Sequence, residues 1–258
     1  MSQQQPRARF ASRSALVTGG GSGIGRAVAL ALAAEGASVL VTGRSPEALA
    51  ETVALVAEAG GTARAQLADV TRAEEMREAV AVAVRHFGSL DVAVNNAGVF
   101  RGGPLTELTA EDWQLLLATN VTGVLNCLQA EIRRMRTQPE GGAIVTIGSN
   151  LGAHLSHPGT AAYGATKAAV SALTRGAARE HLAEGVRINT VSPGPSATAM
   201  SLRPGEGEAE RAARMKEESP LGRVSTTAEV AAAVLYLASE EAASVAGADL
   251  VIDGGAAA

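Results

Sequence analysis

Residues 16–25, with the sequence LVTGGGSGIG, constrain the fold more than any other part of the chain. A short apolar run leads directly into a glycine-rich loop and then into a helical pattern, which predicts a strand, a tight turn and a helix start. Glycine suits such a turn because the chain bends sharply, because backbone N–H groups must approach a phosphate, and because the helix must pack on the strand. We therefore predict a βα unit that can hold a phosphate group.

The glycines in this stretch do not follow the common fingerprint G-x-G-x-x-G at any offset, because Ile24 or Arg26 stands where the last glycine is required. The spacing present is T-G-x-x-x-G-I-G over residues 18–25. By itself this pattern leaves two interpretations open, a phosphate-binding turn and a glycine-rich surface turn. The rest of the chain has to decide between them.

Strand and helix patterns alternate along all 258 residues, with no linker-like segment between them. Hydrophobic residues make up 47% of the sequence and aromatic residues only 2%, so small aliphatic side chains must fill the core, as around a buried parallel sheet. We predict an α/β fold: a single doubly wound, Rossmann-like domain over residues 12–258, with a seven-stranded parallel sheet and helices on both faces. Residues 1–11 are predicted to form a disordered N-terminal tail.

Local signals predict several helix starts and one long loop. Residues 71–74 and 226–229 both have the capping-box pattern Thr-x-x-Glu, and Ser45, followed by proline, is a further N-cap candidate. Residues 192–220 are rich in Pro, Gly and charge, which predicts a long irregular segment. We expect a substrate lid within it, at about residues 194–218.

Composition limits what the protein can bind. A formal net charge of −4 argues against a nucleic-acid-binding surface and a basic membrane anchor, so we expect a small-molecule partner, no nucleic acid and no membrane. Residues 1–10 lack the apolar segment of a secretory signal, and the single cysteine, Cys127, cannot form an intrachain disulfide. No His, Cys and carboxylate cluster has metal-ligand spacing, so no metal is expected. These features favour a cytoplasmic protein.

Candidate site residues are those that directly follow each predicted strand, because doubly wound sheets bind ligands at the carboxyl ends of their strands. They lie at positions 19–25, 43–44, 69–70, 95–98, 149 and 193–194. Since the strands are parallel, we expect these residues to converge on one crevice.

A set of short motifs runs along the whole chain. They are T-G-x-x-x-G-I-G at 18–25, N-N-A-G at 95–98, Asn120, I-G-S at 147–149, Y-x-x-x-K at 163–167, N-x-V-x-P-G at 189–194 with Thr198, and D-G-G at 253–255. In this order and spacing the chain resembles the short-chain dehydrogenase/reductase family. The resemblance implies a nicotinamide cofactor, an oxidoreductase acting on ketones or secondary alcohols, and a homotetramer or homodimer.

Tyr163 and Lys167 lie four residues apart, so on a helix they share one face. An ammonium beside a phenol favours the phenolate, so we expect Lys167 to lower the pKa of Tyr163 from its usual value of about 10. The resemblance implies that Tyr163 is the acid/base, that Lys167 tunes it and binds ribose, that Ser149 orients the substrate oxygen, and that Asn120 relays protons. Ser149 precedes Tyr163 by one residue more than is frequent in the family, and we place the extra residue in the loop at 154–157.

The end of the second predicted strand indicates which cofactor binds. NAD sites place a carboxylate there to bind the ribose 2′-hydroxyl, and that carboxylate repels a 2′-phosphate. Here Gly43 takes the position and Arg44 follows, offering several donors to a phosphate, while Ser22 and Ser45 add hydroxyls. We therefore expect NADP(H), with NAD(H) as the less favoured alternative.

The resemblance extends the cofactor site along the chain. It implies that Asp69 and Val70 hold the adenine end and that Asn95 supports the floor beneath it. The predicted cofactor-binding residues are Gly19, Ser22, Gly23, Ile24, Gly25, Arg44, Ser45, Asp69, Val70, Asn96, Ala97, Gly98, Tyr163, Lys167, Pro193, Gly194 and Thr198.

Predicted substrate-binding residues are Ser149, Leu151, His154 and Met200. Apolar side chains in this set favour a substrate with a largely apolar body. His154 and His157 lie in the same loop before Tyr163, and their roles stay open.

Two other functions remain open. One is a 3-oxoacyl-(carrier-protein or CoA) reductase. The resemblance implies that carrier-protein reductases place Arg or Lys near the active-site rim, where this chain has Glu140 and Glu184, which counts modestly against an acidic carrier protein. The other is a non-catalytic NADPH-binding regulator. The complete set of Asn, Ser, Tyr and Lys counts against it, because binding alone does not require all four.

Overall fold

The computed structural model describes residues 8–258 and contains one parallel sheet. Its strands are β1 (Ser14–Thr18), β2 (Ser38–Gly43), β3 (Thr62–Leu67), β4 (Val92–Asn95), β5 (Gly142–Ile147), β6 (Val186–Pro193) and β7 (Asp249–Ile252). They lie in the order β3-β2-β1-β4-β5-β6-β7, and every neighbouring pair is parallel. The strand order reverses between β1 and β4: the chain first adds β2 and β3 on one side of β1 and then continues with β4 on the other side. Ligands bind beside such a switch point. The predicted fold class is confirmed.

Helices cover both faces of the sheet. They are α1 (Gly23–Ala34), α2 (Pro46–Glu58), α3 (Ala73–Phe87), α4 (Ala110–Leu116), α5 (Gly123–Met135), α6 (Ala161–His181), α7 (Glu208–Glu218) and α8 (Thr227–Ala238). Side chains of a strand alternate between the two faces. Val17 and Val145 therefore join a core with α1, α2 and α8, whereas Leu16 and Ile144 join a second core with α3, α5 and α6.

A π-helical turn, Leu117–Thr122, connects α4 to α5 and contains the fully buried Asn120. Such turns within α-helices are frequent at functional sites. By length and composition alone, the continuous helix Ala110–Met135 is long and apolar enough to cross a membrane. However, 56% of its apolar stretch is buried inside the fold. Packing in the second core therefore accounts for its hydrophobicity.

The chain is packed against the domain from residue 8 onward. Phe10 is only 2% exposed, and its N–H donates to the carbonyl of Glu35 at 3.0 Å. Arg9 forms an ion pair with the Glu35 carboxylate at 2.5 Å. The predicted disordered tail is therefore wrong for residues 8–11, because the Phe10 ring belongs to the core on the α1 side. Residues 1–7 lie outside the described residues.

The capping predictions differ in outcome. Ser45 accepts a hydrogen bond at the start of α2, and residues 226–229 form the predicted capping box of α8, so both predictions are confirmed. The capping box at 71–74 is wrong, since α3 begins at Ala73 without a side-chain cap. The Thr71 hydroxyl donates instead to Asp69, at 2.8 Å, which removes it from the helix end.

The segment predicted to be irregular at 192–220 contains a helix. The helix α7 occupies residues 208–218, and Arg211 and Met215 on it are buried. The prediction of a wholly irregular lid is therefore wrong. These two side chains lie one turn apart and anchor the helix on the domain, although charge dominates its sequence.

Candidate active site

Asn96 ties the glycine loop after β1 to the turn after β4. Its side-chain amide donates to the carbonyls of Thr18 and Gly19, at 3.0 and 3.1 Å. The Thr18 hydroxyl accepts in return from the backbone N–H of Asn96, at 3.0 Å. A Cβ on Gly25 would lie 2.3 Å from the Gly19 oxygen and 2.5 Å from the Asn96 amide nitrogen. Only glycine permits this approach, which positions the loop and the start of α1 together.

Asn95 does not have the role expected of it. Its amide donates to Glu131 of α5, at 2.9 Å, in the core beneath the sheet end. The prediction that Asn95 supports the cofactor floor is therefore wrong, and Asn96 builds the link beneath the glycine loop instead. Consecutive residues at a strand end point to opposite sides, so only one of the two asparagines can face the loop.

A cavity of about 140 Å³ opens beside the glycine loop. Its lining includes Gly19, Gly43, Arg44, Asp69, Val70 and Ala97, which lie at the carboxyl ends of strands or just beyond them. Burial raises the pKa of Asp69, but hydrogen bonds from Thr71 and the charges of Arg44 and Arg72 outweigh it, so the pKa is lowered overall. The cavity thus places a carboxylate and a guanidinium on one side, as predicted from the strand ends.

Ser149 and Tyr163 meet at the carboxyl end of β5. The Ser149 hydroxyl lies close enough to the Tyr163 phenol to act on its pKa, and each residue is 7% exposed. Ser149 lies two residues after the end of β5, whereas Tyr163 lies in the first turn of α6. The Ser149 hydroxyl also accepts from the N–H of Leu151, at 3.1 Å. The structure therefore brings the predicted serine and tyrosine into one crevice.

Lys167 lies one turn beyond Tyr163 on α6 and is 5% exposed. Its Nζ donates to the carbonyl of Ile147 at 2.9 Å and lies 5.8 Å from the centroid of the Tyr163 ring. The two side chains share one face of the helix, as the spacing predicted. The backbone of β5 therefore holds the ammonium beside the phenol without direct contact between their polar atoms.

The predicted effect of Lys167 on Tyr163 is wrong in this structure. Burial raises the pKa of Tyr163 to about 12, although the nearby Ser149 hydroxyl opposes the shift. Burial also lowers the pKa of Lys167 to about 8. Removal from water disfavours both the phenolate of Tyr163 and the ammonium of Lys167. At this separation, that effect is larger than the attraction between the two charges. The phenol consequently keeps its proton at neutral pH.

Asn120 braces the loop after β4 against α6. Its Oδ1 accepts from the N–H of Val99 at 2.9 Å, and its Nδ2 donates to the Val99 carbonyl at 2.9 Å and to the Thr166 hydroxyl at 3.1 Å. Within the described residues its side chain makes no hydrogen bond to Lys167. The contacts show a bracing role, and proton relay through Asn120 stays a prediction.

Phe100 covers the ring of Tyr163 edge-on, with centroids 5.0 Å apart and planes at 68°. The loop that carries it reaches the loop before α6, where the N–H of Gly103 donates to the carbonyl of Gly159 at 2.9 Å. A Cβ on Gly102 would lie 2.8 Å from the Phe100 ring. Phe100 therefore gives this side of the crevice an apolar surface.

Thr198 lies across the glycine loop, since a Cβ on Gly23 would come within 3.1 Å of its methyl group. Arg211 of α7 donates to the Thr198 carbonyl at 3.0 Å and to the Ser201 hydroxyl at 2.9 Å. Arg211 has no predicted role, because nothing in a charged segment of sequence marks which arginine is buried. Helix α7 therefore holds the predicted cofactor residue Thr198 in place.

Several predicted residues differ in how free their polar groups are. Ser45 uses its hydroxyl within α2, accepting from the N–H of Ala48 at 3.2 Å and donating to Glu47 at 3.0 Å. Ser22, at the N-terminus of α1, makes no capping bond with its side chain.

Gly194 directly follows β6. A Cβ at this position would lie 2.6 Å from the Cβ of Asp253, so the chain there requires glycine.

His154 has a partner within the fold. Its Nε2 lies 3.0 Å from the carboxylate of Asp249 on β7. The predicted substrate contact of His154 stays a prediction. Leu151, three residues earlier, stays at the crevice through its contact with Ser149.

Glu140 and Glu184 precede β5 and β6, at the amino ends of strands whose carboxyl ends form the crevice. Their predicted place near the active-site rim is therefore wrong within this chain, and their charge does not count against an acidic carrier protein. Among residues 8–258, no group of three or more His, Cys, Asp or Glu side chains is arranged to hold a metal ion.

Comparison with known proteins gives matches over almost the whole chain. A family model described as enoyl-(acyl carrier protein) reductase matches residues 19–257. The chain is 38% identical over 245 residues to the 3-oxoacyl-(acyl-carrier-protein) reductase FabG of Staphylococcus aureus, covering 95% of this chain and 98% of that protein. It is 35% identical over 266 residues to a 3beta-hydroxysteroid dehydrogenase of Mediterraneibacter gnavus, covering 96% and 95%.

Solved structures share the fold along their full length. A dehydrogenase/reductase from Sinorhizobium meliloti has a TM-score of 0.89 and 37% identity, covering 98% of each chain. A short chain dehydrogenase from Burkholderia cenocepacia, in complex with NADP, has a TM-score of 0.88 and 38% identity, covering 97% of this chain and all of the other. Motifs, topology and relatives agree: the chain belongs to the short-chain dehydrogenase/reductase family, and it is an oxidoreductase that acts on alcohol or ketone groups with a nicotinamide cofactor.

Proposed function

We propose that this protein is an NADP(H)-dependent oxidoreductase that transfers a hydride between the nicotinamide ring and a ketone or secondary alcohol. Its main reaction is the reduction of a carbonyl on a largely apolar small molecule. The observation that carries the proposal is the grouping of the buried Ser149, Tyr163 and Lys167 side chains at the carboxyl end of β5, in the crevice beside the glycine loop.

The crevice fits a phosphate-linked dinucleotide. Gly19 and Gly23 have φ angles of 63° and 53°, and a Cβ on Gly19 would lie 2.8 Å from the Asn96 amide nitrogen. Side chains would therefore fill the space that the loop keeps open. The N-terminus of α1 begins at Gly23, where backbone N–H groups and the helix dipole favour an anion. Asp69 and Val70 line the adjoining cavity and would hold the adenine end.

Arg44 supports the choice of NADP(H) over NAD(H). It lines the cavity beside Asp69, and no carboxylate stands at Gly43, where it would repel a 2′-phosphate. Ser22 is a second candidate donor, whereas Ser45 has its hydroxyl engaged in the α2 cap. The related Burkholderia cenocepacia dehydrogenase was solved with NADP, which also favours this cofactor.

The bound cofactor supplies the hydride. Tyr163 keeps its proton at neutral pH because burial raises its pKa to about 12, so it can donate that proton to the carbonyl oxygen. Ser149 binds the same oxygen and aligns it with the phenol. Lys167, charged below its pKa of about 8, stabilises the phenolate left after transfer and binds the ribose. We assign to Asn120 the return of a proton from solvent.

A 3-oxoacyl-(carrier-protein or CoA) reductase is the second candidate. It is favoured by the 38% identity to the Staphylococcus aureus carrier-protein reductase. The relative described as a 3beta-hydroxysteroid dehydrogenase favours instead a bulky alicyclic substrate, which suits the apolar ring of Phe100 beside Tyr163. A non-catalytic NADPH-binding regulator is disfavoured by the complete catalytic set. We also infer a homotetramer or homodimer from the family resemblance, and a cytoplasmic location from the single cysteine.

A screen of NADPH oxidation tests the proposal. Purified protein is mixed with ketones, quinones, 3-oxoacyl-CoA and 3-oxoacyl-carrier-protein substrates, and each reaction is repeated with NADH. We expect turnover of at least one carbonyl with NADPH, and weaker turnover of the same carbonyl with NADH. Binding of NADPH without turnover of any class would favour the regulator, and a clear preference for NADH would overturn the cofactor assignment.

A further inference from the structure

Asp249, the first residue of β7, is a buried carboxylate in contact with three polar side chains. Its side chain is 6% exposed. Oδ2 lies 3.0 Å from Nε2 of His154 and accepts from the Ser171 hydroxyl at 2.7 Å, while Oδ1 accepts from the Ser192 hydroxyl at 2.5 Å. Ser171 and Ser192 are buried. A buried carboxylate with these contacts fixes the groups that surround it.

Each of these three side chains belongs to a segment that also carries a predicted site residue. Ser171 lies one turn beyond Lys167 on α6. Ser192 directly precedes Pro193 and Gly194 at the end of β6. His154 belongs to the loop that begins with Ser149. The carboxylate therefore connects the catalytic helix, the cofactor-binding strand end and the loop of the catalytic serine.

The loop between Ser149 and His154 is built as one unit. The N–H of Leu155 donates to the Asn150 carbonyl at 2.8 Å, and the N–H of Gly152 donates to the Leu155 carbonyl at 2.8 Å. The Ser149 hydroxyl accepts from Leu151 within the same turn. A Cβ on Gly152 would lie 2.2 Å from a backbone oxygen of α6, so the turn packs directly on the catalytic helix. A displacement at His154 is therefore transmitted to the Ser149 hydroxyl.

We propose that Asp249 and His154 are positioning residues, which hold the turn that carries the Ser149 hydroxyl in place beside Tyr163. The inference rests on the proposed function, because it assigns a role in the same hydride-transfer site. Neither side chain contacts the substrate in this scheme. Both act through the turn that carries Ser149.

The test compares two histidines of one loop. His157 is exposed, and its ring contacts the carbonyl of Pro158 alone among the described residues. We expect His154→Ala to lower kcat about tenfold, because a small misplacement of a catalytic group costs between one and two orders of magnitude. The KM for NADPH should stay unchanged. The control His157→Ala should retain wild-type kcat, and His154→Gln, whose amide can donate to Asp249, should recover most of the loss.

A double-mutant cycle with Ser149→Ala separates positioning from a general loss of structure. If His154 acts through Ser149, adding His154→Ala to Ser149→Ala lowers kcat no further. Equal kcat for His154→Ala and wild type, or additive losses in the double variant, would overturn the inference. If His154→Ala folds poorly, Asp249→Asn, which keeps an acceptor and the side-chain volume, is put through the same cycle.

Tyr163→Phe is measured alongside these variants. Loss of turnover in Tyr163→Phe with full activity in His154→Ala would contradict only the positioning roles. Full activity in Tyr163→Phe would contradict the proposed function itself.

Discussion

The side chains of Asn95 and Glu131 are joined in the core by a hydrogen bond of 2.9 Å, from the amide nitrogen to one carboxylate oxygen. Glu131 is fully buried, and the second oxygen of each side chain has no hydrogen-bond partner within residues 8–258. One proton on Glu131 would satisfy both, because the protonated oxygen can donate to the Asn95 carbonyl. Burial raises the pKa of Glu131 to about 7, which favours the same neutral acid. Its buried titratable neighbour is Cys127, one turn earlier on α5.

Glu131→Gln should remove a pH dependence of stability. The folded pKa of about 7 lies above the ordinary value of 4.5, so the native state favours the protonated form. The contribution of Glu131 is therefore fully present below pH 4.5, declines up to about pH 7, and stays lost above it. The difference amounts to about 3 kcal/mol in the free energy of unfolding. A glutamine keeps both hydrogen bonds without needing a proton.

Urea unfolding of both proteins at about pH 5 and about pH 8 measures this difference. Glu58→Gln, at the exposed end of α2, is the matched control and should follow the wild type. If Glu131→Gln loses as much stability as the wild type between the two pH values, Glu131 is charged in the folded protein.

Tyr163 should stay protonated well above neutral pH in the free protein. The chain has two tyrosines, so Tyr236→Phe leaves Tyr163 as the only phenol. With a pKa raised to about 12 by burial, the ultraviolet absorbance of phenolate should not rise below about pH 10. Circular dichroism at each pH excludes unfolding as the source of any change. A midpoint near neutrality would instead support the lowering by Lys167 that the sequence suggested.

Arg44 should determine the preference for the phosphorylated cofactor. Arg44→Ala should lower kcat/KM for NADPH roughly tenfold to hundredfold, the value of a hydrogen bond to a charged group, and leave NADH unaffected. Gly43→Asp should reverse the preference, because its Cβ would lie 3.5 Å from Leu49, an ordinary contact, and its carboxylate would repel the 2′-phosphate. Arg64→Ala, exposed on β3, is the control. Equal losses with both cofactors in Arg44→Ala would contradict this role.

Two glycines within helices should respond oppositely to alanine. In Gly25→Ala the new Cβ would meet the Gly19 oxygen at 2.3 Å, so the loop must move, and cofactor binding should be lost. Gly176 is exposed on α6 with nothing within 4 Å of an added Cβ. Gly176→Ala should therefore stabilise the protein by up to about 1 kcal/mol. Fluorescence titration with NADPH and thermal unfolding measure both effects, and tight binding by Gly25→Ala would rule out the predicted close approach.

The sheet, its strand ends and the catalytic set were predictable because each rests on a local pattern. Apolar runs ending in Gly, Asp or Asn gave the strands and their ligand-facing ends, and the spacing of Tyr163 and Lys167 gave their common face. Phe10 and Arg211 were not predictable, since one aromatic ring in a polar tail and one arginine in a charged helix become buried only through distant contacts.

The sequence also did not predict which groups the polar side chains would contact. The sequence does not show which of Asn95 and Asn96 faces the glycine loop, nor that His154 reaches Asp249, almost a hundred residues later. The prediction of a lowered pKa for Tyr163 was wrong for a related reason. Spacing along a helix places the ammonium near the phenol, but burial depends on the whole fold and has the larger effect on this pair.

Transfer of deuterium tests the central claim most directly. NADPH labelled at the nicotinamide carbon that donates the hydride is incubated with wild-type protein and a ketone from the screen, and the alcohol is analysed by mass spectrometry. The account predicts deuterium on the carbinol carbon from only one of the two labelled epimers, and no labelled alcohol from Tyr163→Phe, although that variant still binds NADPH. Unlabelled alcohol from both epimers, or labelled alcohol at the wild-type rate from Tyr163→Phe, would contradict it.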